Sequence, residues 1–181
     1  MIKVADTYSK SFAEGITPDP EYTVSEWADK HRQLDQKSSS EPGQWRTSRT
    51  PYLKKIMDAL SVGSPYRRVV LMKGTQVGGT ECGQNWIGYS IHHVPGPMMV
   101  VQPTTELAKR WSKQRLRPMI EQSIVLQDLV REPRSRDSGN TVLCKEFPGG
   151  IIIITGANSA AGLRSMPVEK PRPAPVSTIA R

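Results

Sequence analysis

The chain has 181 residues, enough for one domain with a sizeable core, and 36% of them are apolar with a mean hydropathy of −0.48. No apolar run approaches the roughly 18 residues of a membrane-spanning helix, and the opening MIKVADTYSKSFAEG lacks the apolar segment of a secretory signal, so the expectation is an intracellular protein without a membrane partner. A net charge of +8 favours a polyanionic partner, because Lys and Arg release counterions when they neutralise phosphates. Cys82 and Cys144 lie outside any CxxC spacing, and the three histidines form no ligand pattern, which argues against a metal site built from protein ligands alone.

Residues 1–22 are polar and end in Thr17-Pro18-Asp19-Pro20, the composition of an arm or linker. Thr23-Val24-Ser25-Glu26 has the form of a capping box and predicts a short helix through His31. Residues 35–49, rich in Ser, Pro and Gly, read as a loop. Thr50-Pro51 supplies an N-cap with proline at the first helical position. Tyr52, Ile56 and Leu60 then fall on one face of the helix, and Gly63 closes it. Val69-Val70-Leu71-Met72 is a short continuous apolar run, as in a strand buried on both faces. A glycine-containing turn leads into a predicted helix from Thr80 to about His93. A second apolar run, Met98–Val101, precedes a second helical stretch from Thr104 to Glu121. This alternation predicts an α/β fold with a mostly parallel sheet, flanking helices and right-handed crossovers. After a polar stretch at 127–140, Thr141–Phe147 and Ile151–Thr155 flank Pro148-Gly149-Gly150 as a tight hairpin. GANSAAGLRSMP reads as a loop, and residues 169–181, with three prolines and no periodic pattern, as a disordered tail.

The segment with chemical content is Lys73-Gly74-Thr75-Gln76-Val77-Gly78-Gly79-Thr80. It follows an expected strand and opens a helix, the setting of a phosphate loop, where backbone N–H groups and a helix N-terminus surround a nucleotide's β- and γ-phosphates. Thr80 stands where a hydroxyl binds magnesium. In the common pattern, G-x-x-x-x-G-K-[ST], Gly78 matches the second glycine. Gly79 stands at the lysine position, and Lys73 at that of the first glycine. A lysine at the loop's start still reaches the phosphates, since its flexible stem spans about 6 Å. On the local residues alone, an ordinary strand-to-helix turn with a solvated lysine remains the alternative.

On the second helical stretch, Lys109, Lys113 and Arg117 recur every four residues and share one face, and Glu106 is placed to pair with Arg110. Arg115, Arg131, Arg134 and Arg136 add charge nearby, and Trp111 reads as core. Such a basic face either follows a DNA backbone without reading sequence or is simply solvated.

The residues carry more than a loop pattern. Over SEWADKHR, SSEPGQWRTSRTPYLKKIMDAL, VVLMKGTQVGGTE, NWIGYSIHHVPGPMMVVQPT and SGNTVLCKEFPGGIIIITGANSAAGLRSMPV, the chain resembles the lambda-type large terminase family of phages. That family's ATPase domain uses a variant phosphate loop with lysine at its start. The resemblance covers about residues 23–168 in family order and implies part of a P-loop NTPase fold, RecA/helicase-like, with an N-terminal helical lead-in. It implies ATP and magnesium as cofactors. Lys73 then contacts the phosphates, Gly74, Thr75, Gln76, Val77, Gly78 and Gly79 supply backbone donors, and Thr80 coordinates magnesium. Trp45, Arg46 and Tyr52 are candidates for the adenine pocket, with packing against the sheet edge as their other reading. Gln102, at the C-terminal end of the second strand, is a candidate to sense the phosphates or position a neighbour. Arg164 is a candidate arginine finger on a neighbouring subunit's nucleotide, or else a surface arginine. The implied partners are double-stranded DNA, along which Lys109, Lys113 and Arg117 run, the small terminase subunit and the portal. The implied setting is a homo-oligomeric motor in the host cytoplasm.

The family continues after SMPV into an apolar strand ending in Asp-Glu, where Asp helps hold magnesium and Glu orients the attacking water. Here the sequence turns instead to EKPRPAPVSTIAR. The expectation is therefore an arm at 1–22, an incomplete ATPase domain at 23–168 and a tail at 169–181 foreign to the family, as from a frameshifted or truncated gene. Such a fragment lacks the nuclease domain, binds nucleotide weakly and does not turn over ATP at a useful rate. Two other readings stand beside it: a basic DNA-binding remnant without a nucleotide site, and a helicase-like P-loop translocase.

Overall fold

A computed structural model describes residues 21–36, 41–130 and 140–164. The expectations for residues 1–20, for Arg131, Arg134 and Arg136, and for the tail at 169–181 lie outside the described residues.

Helix α1 (Val24–His31) starts at the capping box. The Glu26 amide donates to the Thr23 hydroxyl, while the Thr23 amide donates to the Glu26 carboxylate at 2.9 Å. Its buried face, Val24, Trp27 and Ala28, lies against later helices. Two-residue strands β1 (Gln33–Leu34) and β2 (Gly43–Gln44) pair antiparallel, the second within residues 35–49 expected to be loop. A 3-10 turn, Thr47–Arg49, leads to α2 (Pro51–Ala59). Proline opens this helix as expected, but Thr50 makes no side-chain cap. The buried stripe is Leu53, Met57 and Leu60; Tyr52 is 57% exposed and Ile56 is half-buried. The stripe differs from the expected one because α2 packs on both α1 and the following long helix, which selects the face one residue further round. Gly63 sits beyond the helix end, in a turn that needs its positive φ of 84°.

The long helix α3 (Gly79–His93) is buried nearly all round. It crosses α1 closely at Gly88, where a Cβ would lie 2.3 Å from the Trp27 ring, so only glycine permits that approach. The Trp27 indole then donates to His92 Nδ1 at 3.1 Å.

The sheet is mixed rather than mostly parallel. Strand β3 (Pro97–Gln102) pairs parallel with β5 (Gly150–Gly156), in register from Pro97–Ile151 to Gln102–Gly156. Strand β4 (Cys144–Phe147) pairs antiparallel with β5 across the two-residue turn Pro148-Gly149, where Gly149 has φ 82°. The order is β3-β5-β4. The first expected strand, Val69–Met72, does not form. No described strand lies beside it, so its backbone groups have no ladder to join. Its side chains alternate: Val69 packs on the core and Leu71 is half-buried, while Val70 and Met72 are 81% and 98% exposed.

After β3, one helical stretch runs through α4 (Thr105–Trp111), a π turn at Ser112–Leu116 and α5 (Arg117–Gln122). Thr104 caps it through its hydroxyl, which accepts from the Leu107 amide at 3.2 Å. Short helices α6 (Ile124–Gln127) and α7 (Ala160–Arg164) follow, the latter inside the segment expected to be loop. Ile152 and Ile154 of β5 join Leu116, Met119 and the α1–α3 residues in one core.

Among the described residues, no helix is long and apolar enough to cross a membrane. No group of three or more His, Cys, Asp or Glu is placed to hold a metal ion. Both cysteines are unbridged; burial pushes the Cys82 thiol up to about 12.

Candidate functional site

The loop from Lys73 to Thr80 ends at the N-terminus of α3, whose first amides have no intrahelical partners. Two residues bend it through the left-handed region, Gln76 with φ 57° and Gly78 with φ 75°. For a non-glycine residue such as Gln76 this is an uncommon conformation. Gly78 also lies against α2: a Cβ there would stand 3.0 Å from Leu53 Cδ1.

Gly79 accounts for the rearranged pattern. A Cβ on it would fall 2.5 Å from Lys73 Cδ and 2.6 Å from Cε. The lysine that starts the loop thus folds its stem over the first residue of α3, where the common pattern has a lysine of its own. The Lys73 ammonium lies 3.4 Å from the Gly74 carbonyl. The exchange of lysine and glycine between positions 73 and 79 is sterically reciprocal: the stem at 73 occupies the space that a side chain at 79 would fill.

Around the loop lies a cavity of about 930 Å³, within the roughly 300–1,000 Å³ usual for small-molecule sites. All eight loop residues line it, and so do Trp45, Arg46 and Tyr52. Of these three, Tyr52 and Arg46 are exposed on the cavity side, whereas Trp45 is 6% exposed and donates its indole N–H to Thr47 Oγ1 at 3.1 Å. Trp45 therefore serves the core first and the cavity wall second.

The cavity also collects residues that sequence reasoning had not assigned to it: Glu41, Arg49, Thr50, Glu81 and Arg115. Arg49 pairs with Glu41 at 2.7 Å. The Thr50 hydroxyl is buried without a hydrogen-bond partner among the described residues. Glu81 follows Thr80 directly. Its carboxylate is held by Arg32 at 3.0 Å and by the Gln84 amide at 3.1 Å, and Arg115 stands 3.7 Å away. Arg32 is buried; burial lowers its pKa more than the charge and hydrogen bond of Glu81 raise it. Adjacency to Thr80 made Glu81 findable in the sequence, but nothing local marked Arg115.

The remaining candidates lie elsewhere. Gln102 ends β3, its carbonyl accepting from the Ala157 amide at 2.7 Å, and is not among the cavity-lining residues. Arg164, exposed at the end of α7, is not among them either. Lys109, Lys113 and Arg117 are all exposed. The π turn at 112–116 interrupts the even four-residue spacing between them. Lys109 takes Glu106 at 3.0 Å, the partner expected for Arg110, and Arg117 takes Glu121 at 2.5 Å. Both are surface pairs of small energetic weight. Trp111, expected as core, is half-buried and packs against it.

A family profile described as "Phage terminase large subunit gpA, ATPase domain" matches residues 39–170. The chain belongs to this family. It is similar to the large terminase subunit of Enterobacteria phage P21, with 31% identity over 136 residues, which is 75% of this chain and 21% of that protein. The chain thus spans about a fifth of the relative it matches. No solved structure matches it. Membership of an ATPase-domain family gives the loop and its cavity their most economical chemical context, and the mixed sheet with its helices is consistent with such a domain.

Proposed function

We propose that the cavity around Lys73–Thr80 is the nucleotide site of a DNA-packaging ATPase, receiving ATP with magnesium. The observation that carries this reading is the Lys73 stem lying across Gly79 at the start of α3, which sets an ammonium beside helix-start amides in a cavity of suitable size. The residues present fit a polyphosphate: the loop bends at Gln76 and Gly78, and Gly79 leaves the room that a side chain would take.

In this reading Lys73 neutralises phosphate charge as a point cation, and the amides of Gly74, Thr75, Gln76, Val77, Gly78 and Gly79 donate to phosphate oxygens. Thr80 presents its hydroxyl to the nucleotide's magnesium. Tyr52 and Arg46 flank the adenine, with Trp45 behind them as packing. Bound ATP supplies a phosphoryl group whose transfer to water releases the energy for work on DNA.

The wider roles belong to the same proposal. Lys109, Lys113 and Arg117 form an exposed basic strip suited to the backbone of double-stranded DNA. Gln102 positions a group at the C-terminal edge of the sheet, and Arg164 reaches a nucleotide on a neighbouring copy. In this reading, which family membership supports, the small terminase subunit and the portal are partners within a homo-oligomeric motor in the host cytoplasm.

The test is equilibrium binding of a fluorescent ATP analogue, with and without magnesium, to the chain and to Lys73→Ala. Magnesium-dependent binding that weakens about 10-fold or more in the variant, a loss of about 1.4 kcal/mol, is the expected result. Binding by neither protein would leave only a basic DNA-binding domain, and equal binding by both would move the nucleotide away from Lys73.

A further inference from the structure

The run at residues 69–72 has the alternation of a strand without the ladder of one. Val69 packs on the core and Leu71 is half-buried, while Arg68, Val70 and Met72 stand exposed, as does Tyr66. Among the described residues, no hydrogen bond engages the backbone of residues 67–72. Pro65 and Gly74 bound the stretch in sequence. Between them lies a row of free N–H and C=O groups beside two exposed apolar side chains, the template that β-strand addition uses.

The charge around the run narrows the partner. Arg67 and Arg68 are exposed and make no ion pair among the described residues, in contrast to Lys109 and Arg117, which hold Glu106 and Glu121. No acidic residue stands between Asp58 and Glu81 in the chain, and Lys73 follows the run directly. A second copy paired run to run would therefore set cations beside cations in either orientation. Strand β3, at one edge of the described sheet, carries no charged residue and would leave both arginines unanswered if a second copy offered it instead. A segment that answers both features is extended and apolar, with acid at the end that meets the arginines.

We propose that residues 67–72 receive an extended segment of another protein, apolar along about four residues and carrying Asp or Glu where it meets Arg67 and Arg68. Main-chain hydrogen bonds form the ladder that the run lacks. The segment's side chains cover Val70 and Met72, and its carboxylates neutralise the two arginines. In the isolated chain this face is bare.

The experiment is fluorescence anisotropy with two labelled synthetic peptides that share an alternating valine–threonine core. One carries two aspartates at each end, the other two lysines. Each is titrated with the full chain and with the double variant Arg67→Glu/Arg68→Glu. The unaltered chain is expected to hold the aspartate peptide at least about 10-fold more tightly than the lysine peptide. The double variant should reverse that preference, and N-methylation of alternate peptide amides should remove binding. No binding of the aspartate peptide, equal binding of both peptides, or binding that survives N-methylation overturns the proposal. Binding of duplex DNA in place of the peptide, lost in the double variant, assigns the arginines to nucleic acid and overturns it as well. A dimer of the free chain in analytical ultracentrifugation that Met72→Asp dissociates assigns the run to a second copy, with the same consequence. Should the double variant melt at a lower temperature than the unaltered chain, Arg67→Gln/Arg68→Gln is read in its place, with loss of the preference expected.

Discussion

Two apolar runs of similar composition, Met98–Val101 and Val69–Met72, have different fates in this molecule. The first becomes the centre of β3, because β5 lies parallel beside it and the wall of Ile152 and Ile154 is fully buried behind. The second finds no ladder among the described strands and keeps only its alternate side chains, Val69 and Leu71, turned inward. Apolar composition by itself is therefore not a strand. A strand is a property of a pair, since each backbone N–H and C=O needs a partner that the run cannot supply. The unpaired run nevertheless keeps a function in the fold: it delivers Lys73 to the start of α3, with Leu71 packed close to Gly79.

The comparison breaks most visibly on its buried side. Ile152→Ala should cost about 3 kcal/mol in urea denaturation, the usual penalty for emptying a fully buried aliphatic site. A loss below about 1 kcal/mol would mean that β5 is not the core strand described. An intermediate effect is expected where the unpaired run meets α3. Gly79→Ala places a methyl group in the path of the Lys73 stem. Because the displaced atoms belong to a flexible side chain, the melting temperature should hardly move, while nucleotide affinity falls about 10-fold. Unchanged affinity would show that Lys73 acts from some other position. The smallest effects belong to the exposed side. Val70→Ser and Met72→Ser should each shift stability by less than about 0.5 kcal/mol, as for surface positions generally. A larger loss in either would mean that this face is covered in solution.

The elements most legible from sequence were those closed by near neighbours. The Thr23–Glu26 capping box specified the start of α1, and Pro148-Gly149 specified the hairpin, because both signals act within a few residues. Proline 51 marked the start of α2, but its buried face was misjudged by one position, since that choice belongs to α1 and α3. The bent loop at 73–80 was legible through its glycines and the helix that follows. The Glu81–Arg32 pair and the approach of Arg115 were not, because they join residues far apart in the chain through packing with no local pattern.

The amino-acid order alone determined the starts of α1, α2 and α4, the hairpin turn and the family likeness, all of which depend on hydrogen bonding or spacing within short segments. Tertiary structure alone decided which apolar run acquired a ladder, that the stem of Lys73 takes the space beside Gly79, and which arginines gather at the loop. The physical reason is reach: a cap or turn satisfies its own backbone, whereas burial and charge neutralisation depend on partners that only folding brings near.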